Sequence, residues 1–247
     1  MNGSVHRRSF FVHSYEADPG GHLSPRALCA YLQEAAGEDA TRLGVSMSRL
    51  GEGGLAWVLY RLRLEVRRYP RTGETLTAAT WARRFDYAVA WRDFEVLDES
   101  GAGLAVGTSR WVVVDLAARR LTRLPEFVRA VPVADRPGVV EREPGPLAAV
   151  ETAAVARRFE VRRGDLDMLR HVNNTRYVEW ALETVPSAVL EECRPSVVDV
   201  EFRREALLGD AVVSRASGLD AEGRAFAHQL WNESSGVELA RAESRWG

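Results

Sequence analysis

The sequence predicts an α+β fold built twice in tandem, each copy a short strand, one long helix and about four antiparallel strands. Three collinear matches between the halves predict it. Asp18 and His22 recur as Asp167 and His171 at an offset of 149, each pair spaced Asp-x-x-x-His ahead of a helix-like segment that reaches Glu34 or Glu183. Leu64-Glu65-Val66-Arg67-Arg68, followed by Gly73 and Glu74, recurs at an offset of 136 as Val200-Glu201-Phe202-Arg203-Arg204, followed by Gly209 and Asp210. Ser109-Arg110-Trp111 recurs as Ser244-Arg245-Trp246 at an offset of 135. One long repeat with a slowly shrinking offset points to paired half-domains and not to a short-period solenoid.

In the first copy, Ser24 is a natural N-cap and Pro25 suits the first helical position. Leu28, Leu32, Ala35, Ala36 and Leu43 follow at helical spacing, and Gly44 suits the stop, so a helix is expected near 25–43. Alternating apolar residues then predict strands near 55–69, 75–84, 88–98 and 104–115. A Pro-rich stretch with Pro132, Pro137, Pro144 and Pro146 breaks regular structure and reads as a linker, which sets the units at 1–130 and 157–247 with 131–156 between them. In the second copy Asn173 or Asn174 can cap a helix carrying Tyr177, Trp180, Ala181 and Thr184 that runs toward Pro186 or slightly beyond. Strands are expected near 197–205, 211–218, 224–232 and 237–246, with Gly101, Gly223 and Gly236 at hairpin turns. A long helix lying against a curved antiparallel sheet is the hotdog arrangement, so the chain reads as a tandem, or double, hotdog.

Composition narrows the function classes. With 247 residues, 46% hydrophobic and 28% charged, the chain can bury a sizeable core, and disorder is a poor reading. A formal net charge of −2 offers no footprint for nucleic acid. Cys29 and Cys193 are too few and too far apart for a disulfide framework or metal site, which favours a reducing, cytoplasmic location. No apolar stretch reads as a signal peptide or membrane span. The five histidines are scattered, no phosphate loop or Gly-x-Ser-x-Gly elbow is present, and no cofactor is implied.

Several segments together carry a family resemblance. They are Ser14-Tyr15-Glu16 with Leu32-Gln33-Glu34-Ala35, Trp57-Val58 with Arg68-Tyr69-Pro70 and Gly73-Glu74, Arg119-Arg120-Leu121, His171-Val172-Asn173-Asn174 with Tyr177, Trp180 and Glu183, and Val200 through Glu205. Over nearly its whole length the chain resembles the acyl-acyl carrier protein (ACP) thioesterases of plants and bacteria. The resemblance implies a hydrolase of fatty acyl thioesters in lipid metabolism, with acyl carrier protein and its acyl chain as partner; a homodimer stays open. It assigns catalysis to the second unit, where Asp167, His171 and Glu205 match the family's functional aspartate, histidine and glutamate.

Those residue types suit the reaction. Neutral imidazole at His171 can accept or relay a proton, Glu205 can polarise an attacking water, and Asp167 can orient the assembly. Backbone N–H groups of Val172, Asn173 and Asn174, at the start of a helix, are candidate donors to an oxyanion. Structural readings stand beside these: His171 as a core helix-capping histidine, Asn173 and Asn174 as cap and turn, Asp165 and Asp167 as turn groups. Two positions depart from the family pattern. Leu169 stands where the family has an asparagine, so another donor must serve or the role is vacant, and Ala206 replaces the cysteine of plant members. In the first unit Asp18 and His22 form a degenerate site, because Tyr69 occupies the position equivalent to Glu205. The resemblance gives that unit the acyl pocket and chain-length choice. The alternatives are an acyl-CoA thioesterase and a non-catalytic acyl-thioester-binding protein.

Overall fold

A computed structural model describes residues 5–140 and 145–247. Residues 1–4 and 141–144, which include Pro144 of the expected linker, lie outside the described residues. The chain divides into two compact units, Met1–Leu62 with Val66–Glu143, and Arg63–Glu65 with Pro144–Gly247.

The first unit holds strand β1 (His6–Phe11), helices α1 (Pro25–Arg42) and α2 (Met47–Gly51), strands β2 (Leu55–Val66), β3 (Thr75–Phe85), β4 (Val89–Asp98), β5 (Gly103–Asp115) and β6 (Arg120–Thr122), and helix α3 (Glu126–Arg129). Its strands run in the order β1-β3-β4-β5-β2, with β6 hairpinned onto β5. The cap of α1 forms as the sequence predicts, the Ser24 hydroxyl accepting the Ala27 N–H at 3.2 Å. Leu28, Leu32, Ala35 and Ala36 are buried, and α1 packs on β1 and β3. The short helices α2 and α3 are not apparent in the sequence. Leu50 and Val128 from these two turns join Val113, Leu124 and Val131 in a small core, and burying them is worth roughly 2 kcal/mol per large side chain.

The second unit holds β7 (Val155–Glu160), α4 (Asn174–Leu182), α5 (Ser187–Glu192), β8 (Pro195–Phe202), β9 (Ala211–Gly218), β10 (Ala225–Asn232) and β11 (Glu238–Trp246). Their order is β8-β11-β10-β9-β7, the hotdog pattern again. The helix α4 lies against β8 to β11, with Trp180 stacked on Phe159 and Tyr177 edge to face with Trp180 and Phe202. It ends earlier than the sequence predicts, because Thr184 turns back onto the Ala181 carbonyl and Pro186 holds Val185 out of helical backbone. A fresh helix, α5, starts after that proline. Gly101, Gly223 and Gly236 take the expected turns at φ of 85°, 67° and 65°.

A buried chain of hydrogen bonds fastens the end of α4 to the sheet. The Thr184 hydroxyl donates to the Ala181 carbonyl (2.6 Å), so it must accept from His228 Nδ1 (3.1 Å). His228 Nε2 then accepts from Ser244 Oγ (2.8 Å), which accepts from Trp246 Nε1 (2.9 Å). The ring is thus neutral with its proton on Nδ1, and burial pushes its pKa down to about 3.

The proline-rich stretch forms no helix or strand over 131–140, yet it is bound to the first unit. Ala134 N–H donates to the Ala82 carbonyl (3.0 Å), and Arg136 lies 4.2 Å over Trp81 and pairs with Glu95 at 2.9 Å. Residues beyond the undescribed segment attach to the second unit, where Ala148 N–H meets Glu243 at 2.8 Å and Val150 N–H meets Gln229 at 3.0 Å. Prolines stop ladder formation but leave these neighbouring N–H groups free to find single acceptors, the Ala82 carbonyl in the first unit and the Glu243 and Gln229 side chains in the second. Strand β7 begins at Val155, within the range expected for the linker.

Candidate functional site

A tight turn positions the predicted aspartate and histidine. Asp167 N–H donates to the His171 carbonyl (2.8 Å), and Asp167 Oδ1 accepts the N–H groups of Leu169 (2.8 Å) and His171 (3.2 Å). Arg170 takes the left-handed conformation, φ 65°, that closes such a turn. Asp167 therefore holds the backbone of His171, and its turn-forming role is a means of aiming the ring.

The segment after β8 runs beside this turn, with His171 bridged to Leu207. That register brings His171 Nε2 to 3.4 Å from Glu205 Oε2, across a separation in sequence that no local pattern encodes. Both side chains reach solvent, the carboxylate at 59% exposure, so a substrate can approach them. Imidazole and carboxylate at this distance can share the activation of one water molecule.

The three candidate oxyanion donors separate. Val172 N–H is committed to the Ala206 carbonyl (3.0 Å) and Asn173 N–H to the Asp165 carbonyl (2.9 Å). The Asn173 side chain caps α4, accepting the Thr175 N–H at 2.9 Å and its hydroxyl at 2.8 Å. Asn174 N–H has no acceptor among the described residues and sits at the positive end of α4, which leaves it as the donor of the three. Asp165 is a buried turn group: burial opposes its charge, but hydrogen bonds from the Arg162 backbone and side chain, with the nearby Arg176, hold its carboxyl below the ordinary value.

Tyr177 adjoins this pair, although the sequence marks it only as a helix residue and as part of the family resemblance, with no role in the site. Its buried hydroxyl accepts the Ala206 N–H at 2.8 Å, which pins the residue that follows Glu205 to α4. Burial, reinforced by the charges of Glu205, Asp210 and Asp167, pushes its pKa up, so the phenol keeps its proton. A tyrosine on the apolar face of a helix does need a partner for its hydroxyl, but nothing local identifies that partner.

The first unit repeats the backbone of this site. Asp18 N–H meets the His22 carbonyl at 2.7 Å and Asp18 Oδ1 accepts the His22 N–H at 2.9 Å, with Gly21 at φ 76° in place of Arg170. Leu23 N–H donates to the Pro70 carbonyl (2.8 Å) as Val172 does to Ala206, and His22 bridges Arg71 as His171 bridges Leu207. This register puts Tyr69, buried, where the second unit has Glu205. Asp18 and His22 come together, His22 Nδ1 lying 3.9 Å from Asp18 Oδ1, but Tyr69 stands in place of the glutamate.

Comparison with known proteins identifies the family and the fold. Residues 3–131 match the acyl-ACP thioesterase N-terminal domain, and residues 149–247 match the acyl-ACP thioesterase C-terminal domain. The chain is 32% identical over 264 residues to the dodecanoyl-[acyl-carrier-protein] hydrolase of Cinnamomum camphora, a chloroplastic protein, covering 99% of this chain and 68% of that one. It spans 63% of the palmitoyl-acyl carrier protein thioesterase of Cuphea hookeriana, at 29% identity over all of this chain. The 12:0-ACP thioesterase structure of Umbellularia californica superposes with a TM-score of 0.87 at 29% identity, covering 98% of this chain and 97% of that one. The crystal structure of an acyl-ACP thioesterase from Bacteroides thetaiotaomicron gives a TM-score of 0.89 over 98% of both chains, a likeness of fold at 21% identity.

Proposed function

This chain belongs to the acyl-ACP thioesterase family, and on that premise we propose that it hydrolyses fatty acyl thioesters of acyl carrier protein at the His171–Glu205 pair. The observation that carries the site assignment is the 3.4 Å approach of His171 and Glu205 in the one repeat that has a carboxylate at this position. Water polarised by Glu205 and His171 adds to the thioester carbonyl carbon, and its proton passes to that pair. The negative charge that forms on the carbonyl oxygen is received by Asn174 N–H at the start of α4. Collapse of the tetrahedral intermediate breaks the carbon–sulfur bond, His171 returns the proton to the leaving sulfur, and fatty acid and carrier thiol depart. Asp167 keeps the imidazole aimed through the turn it closes. Ala206 offers no thiol, so the route uses no cysteine nucleophile.

The first unit, with the buried apolar face of α1, serves chain-length selection and not chemistry. No helix among the described residues is long and apolar enough to cross a membrane. Both cysteines are free thiols, which suits a reducing, cytoplasmic location. Matched acyl-ACP and acyl-CoA substrates of several chain lengths, assayed for released thiol, test the reading. Faster turnover of the ACP form is expected. Preference for CoA would replace the carrier, and tight binding of both without turnover would replace the enzyme by a binding protein.

A further inference from the structure

The two copies of the Asp-x-x-x-His turn differ most in what they show to solvent. Beside His171 and Glu205 the second unit exposes Met168 (100%), Leu169 (53%), Leu207 (51%) and Leu208 (47%). At the matching places on the same hydrogen-bonded backbone the first unit has Pro19, Gly20, Arg71 and Thr72. Four large apolar side chains on adjacent turns have no role in either turn, since the turns form equally well without them. Exposing such a cluster is unfavourable unless something covers it in use. Arg170 and Arg204 flank it, both exposed and neither in an ion pair among the described residues.

We propose that these six residues form the docking surface for the acyl carrier protein, the apolar side chains meeting the apolar stripe of an acidic helix and the two arginines meeting its carboxylates. The inference rests on the carrier-thioester reading above. Charge decides the occupant: an apolar patch edged by unpaired cations fits an acidic amphipathic partner better than a second copy of the same cationic edge. Its place around the reacting pair means that docking and delivery of the thioester coincide. Leu169, seen this way, is part of a contact surface and not only a lost amide.

The test compares two substrates, acyl-ACP and the carrier-free acyl-N-acetylcysteamine thioester, on the wild type, Met168→Asp, the double variant Met168→Asp/Leu208→Asp, and Arg204→Glu. For each variant we expect KM for acyl-ACP to rise by about tenfold or more, as loss of a central contact does, with kcat and the carrier-free reaction within about twofold of wild type. The wild-type KM for acyl-ACP should also rise with salt, and that dependence should weaken in Arg204→Glu. Equal losses on both substrates would overturn the inference by making the patch an acyl-chain entrance. No change in any variant would overturn it as well. So would a wild-type dimer, seen by light scattering, that Met168→Asp converts to monomer. Wild type that cleaves the small thioester but not acyl-ACP would instead reject the carrier reading itself. Met168 is fully exposed, so its variant keeps the test available if the double variant fails to fold.

Discussion

The turn that leads into α1 and the turn that leads into α4 share a backbone almost bond for bond, yet only the second brings a glutamate from the neighbouring strand end to its histidine. Asp18 and Asp167 close the same loop with the same pair of hydrogen bonds, and Leu23 and Val172 tie it to the same neighbouring strand end. The scaffold is therefore a property of the repeat. The chemistry depends on position 205 and on what Tyr69 replaces in the other copy. A further exchange accompanies it: Ala206 N–H is satisfied by the Tyr177 hydroxyl, whereas the first unit has Pro70, which has no N–H, opposite Leu28, which has no hydroxyl. Each copy keeps its buried polar groups balanced in its own way.

The largest expected effect contrasts the two histidines. His171→Ala and Glu205→Ala should each lower kcat by about two to four orders of magnitude with the fold intact, as loss of a general base does. His22→Ala should retain most of the turnover. A collapse in His22→Ala equal to that in His171→Ala, in folded protein, would show both copies to be catalytic.

The Tyr177–Ala206 exchange predicts a coupling. Tyr177→Phe strands a buried N–H and should destabilise the unit by about 1–3 kcal/mol. It should also reduce kcat, because the segment bearing Glu205 loses its anchor. Ala206→Pro copies the first unit and removes the N–H, so adding Tyr177→Phe to it should be nearly neutral. A denaturation cycle over the four proteins measures this. Additive losses would mean that the hydroxyl and the N–H act independently.

His228 separates the units by pH. Its folded pKa of about 3 lies below the ordinary value of 6.5, so the unfolded chain takes up the proton first as pH falls. Stability from this group is full above about pH 6.5 and is lost progressively toward pH 3, with about 2 kcal/mol gone by pH 5. The first unit has Asp93 at the matching position and no such histidine. His228→Leu should therefore flatten the loss of stability between pH 7 and 5, measured by denaturant unfolding. An unchanged slope would assign the acid sensitivity to other groups.

Leu169→Asn should have the smallest effect. The Leu169 N–H already serves Asp167, its side chain is half exposed, and Asn174 N–H remains for the oxyanion, so the single-turnover rate should stay within about threefold of wild type. A well-placed donor is worth about a hundredfold or more, and a rise of that size would show that the family's asparagine amide was missing here.

Sequence alone determined the doubled fold, because helix caps, apolar periodicity and turn glycines act over a few residues. Ser24 and Asn173 cap as their types require, α1 and the eight long strands follow their periodicity, and Gly101, Gly223 and Gly236 turn where only a short-range rule is needed. It also singled out Asp167, His171 and Glu205 through resemblance to a family. Tertiary structure decided what depends on groups meeting from afar. The commitment of Val172 and Asn173 N–H to strand and turn carbonyls, the Tyr177 hydroxyl on Ala206, and the Thr184–His228–Ser244 chain all follow from the register between α4 and its sheet. So does the attachment of the proline-rich segment, where composition indicates only that no regular element forms. Local patterns specify which backbone a segment adopts; which donor finds which acceptor is settled only when the sheet closes against the helix and each buried polar group must be satisfied.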